Sequence, residues 1–193
     1  EYFFVKSLFI FINLMPVTIA SKFGGFIFKF IGSISSYNST ALKNCRYVFP
    51  KLEENHIKKI VSESWENLGK TIFELGKLKQ IIKNKKFIEI KGREHISKIL
   101  ENQSQAIFIG IHQSNWEIGV PLLDKLGFRV GAIYRHINNY LIDKYIFKKR
   151  SYSLTSKNSF YTPKGKRSAK EIIEGIKNKC SVFILIDQKD SAG

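Results

Sequence analysis

Apolar residues crowd the first part of the chain. Phe3 to Ala20 carries one charge, Lys6, and two helix-unfriendly residues, Asn13 and Pro16; a second apolar run, Phe23 to Ile34, is interrupted by Gly24, Gly25 and Lys29. The first run approaches the roughly 18–20 residues that cross a hydrocarbon core. A secretory leader needs a basic start and a small-residue cleavage site, and neither is clear. A buried core helix remains open. The crowded phenylalanines and flanking lysines favour a membrane span or an interfacial hairpin. Residues 1–36 are therefore expected to form a membrane anchor, and 37–193 an α/β domain.

From Asn38 to Leu78 the pattern is helical. Ile57, Ile60, Val61, Trp65, Leu68, Ile72, Phe73 and Leu75 recur at three and four residues with charge between them, and Pro50 lies just upstream. Then the period changes. Phe87–Lys91 alternates like a short strand, whereas Ala106–Ile111 and Ser181–Ile186 are continuous apolar runs suited to buried strands. Phe128–Tyr134 is strand-like as well. Helices are expected over 94–101, 115–126, 138–150 and 166–178, with 151–166 a polar loop. This alternation predicts a mostly parallel sheet flanked by helices, preceded by the anchor and a helical segment.

Composition narrows the class. The 193 residues carry 32 basic and 16 acidic side chains, a net charge of +16. Such an excess seeks an anionic partner: nucleic acid, an anionic membrane or an acidic protein. With 44% hydrophobic residues the chain has a core. Cys45 and Cys180 fit neither a metal pattern nor a disulfide framework. A nucleic-acid binder is disfavoured by the apolar start and by the lack of helix-turn-helix, RNP or zinc-spacing signals.

Candidate chemistry concentrates at Ile109-Gly110-Ile111-His112-Gln113-Ser114-Asn115-Trp116-Glu117. A buried strand ends here, and His112 emerges at its carboxyl end, where ligands gather in open α/β sheets. Ser114 or Asn115 is placed to cap the next helix. His112 serves as a general base if an acid fixes its tautomer, and Glu117, five residues on, is the candidate. That pairing requires His112 to lie in the loop before the helix, since on a regular helix the two would point well apart. Otherwise His112 is an ordinary loop histidine. His56, His95 and His136 have Val61, Leu100 and Leu141 at the same spacing.

The block His112 to Glu117 resembles the catalytic segment of the lipid A biosynthesis acyltransferases, the lauroyl/myristoyl branch of the lysophospholipid acyltransferase superfamily. Asn115-Trp116-Glu117 is similar to that branch's usual Asn-Trp-Glu. The likeness extends through Asn44 to Pro50, Glu66 to Gly69, Tyr134-Arg135 with Asn138, Leu141 and Asp143, Lys166-Arg167, and Asp187-Gln188-Lys189. It implies transfer of a fatty acyl group from acyl carrier protein to a hydroxyl of a lipid A precursor, with no metal or organic cofactor. His112 would be the base and Glu117 its orienter. Arg135 would hold a phosphate of the acceptor or of the carrier's phosphopantetheine arm. Asn115 and Arg167 would lie on the substrate side. Asp187, at the end of the last strand, is placed to orient Arg135 or a lysine, or else is an ordinary strand-end acid. The location implied is the cytoplasmic face of a bacterial inner membrane. Thirteen basic against three acidic residues between Arg129 and Lys179, densest at Lys148-Lys149-Arg150 and Lys164 with Lys166-Arg167, suit an acidic carrier, a phosphorylated glycolipid and anionic lipid.

Two departures stand out. Ser168 occupies a position where the family often has glycine, and the chain stops at Gly193, before a Pro-Phe-Phe-Gly-like segment with which the family continues. Glu1 stands where an initiator methionine is expected, so the chain reads as a fragment. A glycerophospholipid acyltransferase of the same superfamily, or a non-catalytic membrane-binding remnant of a split gene, is the competing reading.

Overall fold

A computed structural model describes residues 1–156 and 158–187. They fall into two compact units: Phe9–Gly76, and Glu1–Leu8 together with the chain from Lys77 onward.

The first unit is helical. Pro16, which cannot donate a backbone hydrogen bond, divides the long apolar start into α1 (Tyr2–Leu14) and α2 (Val17–Ile34). The apolar run from Phe3 to Ala20 is therefore shared between two helices. α3 (Tyr37–Val48) follows, and the expected amphipathic helix is α4 (Glu54–Leu75), whose Ile57 and Val61 pack with Cys45 of α3. α2 and α4 run antiparallel in close contact. A Cβ at Gly69 would stand 2.2 Å from the Gly24 carbonyl oxygen, so this approach requires glycine at Gly69.

The second unit is α/β. After α5 (Leu78–Lys83) and α6 (Arg93–Glu101) come β1 (Ile107–Gly110), α7 (Gly119–Lys125), β2 (Val130–Tyr134), α8 (Tyr140–Ser153), β3 (Phe160–Pro163), α9 (Ser168–Lys177) and β4 (Ser181–Leu185). The four strands form one parallel sheet in the order β1-β4-β2-β3. Val120, Leu123, Phe128, Val130 and Ala132 make its main core, with Phe108 and Phe183 packed against it.

Three local expectations are corrected. Phe87–Lys91 is not a strand: a 3-10 turn, Lys85–Phe87, is capped by the Asn84 side chain accepting from the Lys86 N–H, and extended unpaired chain follows. The loop expected over 151–166 contains β3, which pairs with β2 along its whole length. The runs expected to be buried are buried on one face only. Ile107, Ile109, Ile133 and Ile184 are exposed, and register places Ile109, Ile184 and Ile133 in one row across the sheet. α9 packs against β2, β3 and β4, which leaves the β1 side of that face without cover among the described residues.

Candidate active site

Parallel pairing brings the candidate residues together. β1 and β4 are in register from Ile107 with Val182 to Gly110 with Leu185, and the ladder continues one step as the Ile186 N–H donates to the Gly110 carbonyl. Two residues past each strand's last position stand His112 and Asp187. Asp187 accepts from the His112 backbone N–H at 2.7 Å through Oδ2 and from the ring Nδ1–H at 2.8 Å through Oδ1. A carboxylate only accepts, so this bond assigns the ring proton to Nδ1 and leaves the Nε2 lone pair available. Both side chains are about one third exposed. The hydrogen bonds from His112 hold the Asp187 carboxyl below its ordinary range. The Trp116 ring flanks the imidazole edge-on, 5.1 Å between centroids.

The expected His112–Glu117 pair is not made. Glu117 turns into the protein and forms a bidentate pair with Arg150 of α8, Oε2 to Nε at 2.8 Å and Oε1 to Nη2 at 2.5 Å. The two side chains are only 11% and 16% exposed, so each charge depends on the other. Burial lowers the Arg150 pKa, but the hydrogen bonds and charge of Glu117 outweigh it and raise the value. The Tyr134 ring lies beneath the guanidinium, 5.5 Å from centroid to Cζ. Arg150 is thus withdrawn from the basic surface to which the sequence assigned it. The carboxylate that meets the His112 ring is that of Asp187, not that of Glu117, and Asp187 contacts His112 and not Arg135 or a lysine.

The loop that carries His112 is tightly shaped. Ser114 has φ +53°, an uncommon left-handed conformation for serine, and the Asn115 side chain caps the 3-10 turn Trp116–Ile118 by accepting from the Glu117 N–H at 3.1 Å. Asn115 is therefore a capping residue. Beside the loop lies an open depression of about 330 Å³ lined by Phe87, Ile88, Ile111, Trp116, Ile118 and Phe183, with Ser114 and Asn115 also contributing. Such a volume is within the range of small-ligand pockets. Gly110 and Gly119 give the Phe183 ring its place in this wall: a Cβ on either would fall within 2.7 Å of the ring.

The remaining candidates lie elsewhere in the same unit. Arg135 follows β2 immediately, is exposed, and makes no ion pair among the described residues. Arg167, also exposed, stands at the N-cap position of α9 with no side-chain hydrogen bond to the helix. Ser168 is buried, and its hydroxyl donates to the Gly165 carbonyl at 2.7 Å with ordinary helical backbone, so the turn accommodates the departure from glycine. Gln188 and Lys189 lie outside the described residues.

A second His–Asp pair escaped the sequence reading. His136 Nδ1 is 2.7 Å from Oδ2 of the buried Asp143, whose Oδ1 accepts from the Ile137 N–H at 2.9 Å. His136 stands two residues beyond β2 as His112 stands beyond β1, a spacing visible once strand ends are known.

The sequence matches a family described as bacterial lipid A biosynthesis acyltransferase over residues 1–192. No individual curated protein matches it. With all but one residue of the chain matched, this protein belongs to that family.

Proposed function

We propose that the protein moves a fatty acyl group from acyl carrier protein to a hydroxyl of a phosphorylated lipid A precursor, at the cytoplasmic surface of the inner membrane. The observation that carries this reading is the His112 imidazole, its Nδ1–H committed to Asp187 and its Nε2 available, in a loop whose Ile111, Ser114, Asn115 and Trp116 line an open, mainly apolar depression. Nε2 takes the proton of the acceptor hydroxyl as that oxygen attacks the thioester carbonyl. The tetrahedral intermediate collapses, the C–S bond breaks, and the imidazolium returns the proton to the departing thiolate. Asp187 keeps the ring in the required tautomer and balances the imidazolium charge.

Glu117 acts at one remove. Its pair with Arg150 ties the loop after β1 to α8, which fixes the position of His112. The cavity accommodates part of the acyl chain, and the exposed Arg135 and Arg167 meet phosphate or the acidic carrier. The test is acyl transfer by the detergent-purified protein from acyl carrier protein to lipid IVA. Transfer by the wild type and its loss in His112→Ala support the reading; equal rates in both remove His112 from the chemistry.

A further inference from the structure

The apolar helix α2 has the length and hydropathy of a membrane span, yet its partner is unsuited to a bilayer. One side of α2 is committed to α4 along its length. The Ser21 hydroxyl donates to Glu74, the backbones of Gly24 and Gly69 touch, Lys29 pairs with Glu66 at 3.1 Å, and Gly32 seats the Trp65 ring. The stretch of α4 so engaged carries Glu66, Lys70 and Glu74. If α2 crossed the membrane it would draw these ionised groups into hydrocarbon, or else lose every one of these contacts.

The opposite side of α2 shows a different chemistry. Ile19, Phe23, Phe26, Phe30 and Ile34 recur at three and four residues and are all exposed, Phe26 at 72% and Ile34 at 72%. At 100° per residue this stripe faces away from Gly24, Gly25 and Gly32, with Phe23 at its border touching the Phe73 ring of α4, while Lys22 and Lys29, the latter paired with Glu66, lie along the other margin. Phe11 of α1 packs edge-on against Phe23 and extends the apolar area toward Ile10 and Leu14. An apolar stripe with lysines at its border, backed by a charged helix, is the arrangement of a helix lying in an interface.

The geometry points to in-plane binding: α2 lies along the surface of an anionic leaflet with its phenylalanine stripe in the acyl region, Lys22 and Lys29 at headgroup level, and α4 on the water side. This rests on the membrane part of the proposed function and adds the orientation. The occupant of the stripe is an anionic bilayer surface, because apolar area and cationic margin together match anionic lipid.

The experiment uses the full chain with vesicles of phosphatidylethanolamine and phosphatidylglycerol. Nitroxide labels are placed singly at Ile19→Cys, Phe26→Cys and Ile34→Cys; Cys45 and Cys180 are buried and do not compete for label. Flotation reports binding, and oxygen against nickel-complex accessibility reports depth. Equal, shallow depth at the three sites is expected. Binding with Phe26 deep and Ile19 and Ile34 at opposite headgroup layers overturns the in-plane orientation alone. Failure to float overturns the membrane reading itself, and dimerisation through the stripe without lipid assigns it to a second copy and overturns the inference. The double variant Phe26→Ser with Phe30→Ser, helical by circular dichroism, is expected to bind about tenfold less or weaker; unchanged binding excludes the stripe as the contact.

Discussion

Asp187→Asn is the most informative single change at the site. The carboxylate receives two hydrogen bonds from one residue, the His112 backbone N–H at 2.7 Å and ring Nδ1 at 2.8 Å. Asparagine has one oxygen and one NH2 in place of the two oxygens. If its oxygen keeps the backbone N–H, its NH2 points at Nδ1 and forces the ring proton onto Nε2, the atom that must accept. The imidazolium also loses its counter-charge. A positioned general base contributes about 10²–10⁴-fold, so the loss in kcat for acyl transfer is expected in that range, with KM changed far less. The assay follows labelled acyl chains from acyl carrier protein into lipid IVA, with circular dichroism and gel filtration as controls on folding. Asp187→Glu is expected to recover part of the rate. A near-normal rate in folded Asp187→Asn, alongside a collapse in an equally folded Glu117→Gln, would refute the reasoning and restore Glu117 as the orienter.

Other consequences concern stability. Glu117→Gln leaves the buried Arg150 charge without its counter-ion and is expected to cost about 3 kcal/mol; replacing both partners by leucine and methionine is expected to cost less than either single change, as measured by urea unfolding. Gly69→Ala puts a methyl 2.2 Å from the Gly24 carbonyl oxygen, so α2 and α4 must separate at a cost of about 1–3 kcal/mol, visible as a lower Tm. Burial raises the Asp124 pKa, but hydrogen bonds led by those from Ser159 and Thr155 outweigh it and leave the value below normal. A folded-state value below the unfolded one means that Asp124 stabilises the protein above about pH 4, and the contribution disappears as pH falls through the folded value. Asp124→Asn is therefore expected to cost about 1–3 kcal/mol at pH 7 and progressively less in acid, measured by denaturant titration at several pH values.

Local periodicity made most elements legible. The three-and-four spacing of Ile57 to Leu75 marks α4, and the apolar runs at Ile107 and Ser181 mark the strands that bring His112 and Asp187 side by side. The partner of His112 was not legible, because proximity along the chain favoured Glu117 while strand register joins residues 75 apart. Arg150 shows the same limit. Within Lys148-Lys149-Arg150 it resembles its neighbours, and only the fold turns it inward to Glu117. β3 was hidden for a related reason: Phe160–Pro163 is short, ends in proline and lies among polar residues, and its strand character comes from pairing with β2. The break at Pro16 was readable from proline chemistry, whereas the side on which α2 meets α4 becomes clear only from the glycine contacts.

The tautomer of His112 bears most directly on the catalytic account. Ring ¹⁵N NMR of the labelled protein in detergent, above the imidazole's titration, is expected to show a protonated Nδ1 and an unprotonated Nε2, with the pattern lost in Asp187→Asn. A proton on Nε2 in the wild type, or a pattern that Asp187→Asn leaves unchanged and Glu117→Gln alters, would contradict it.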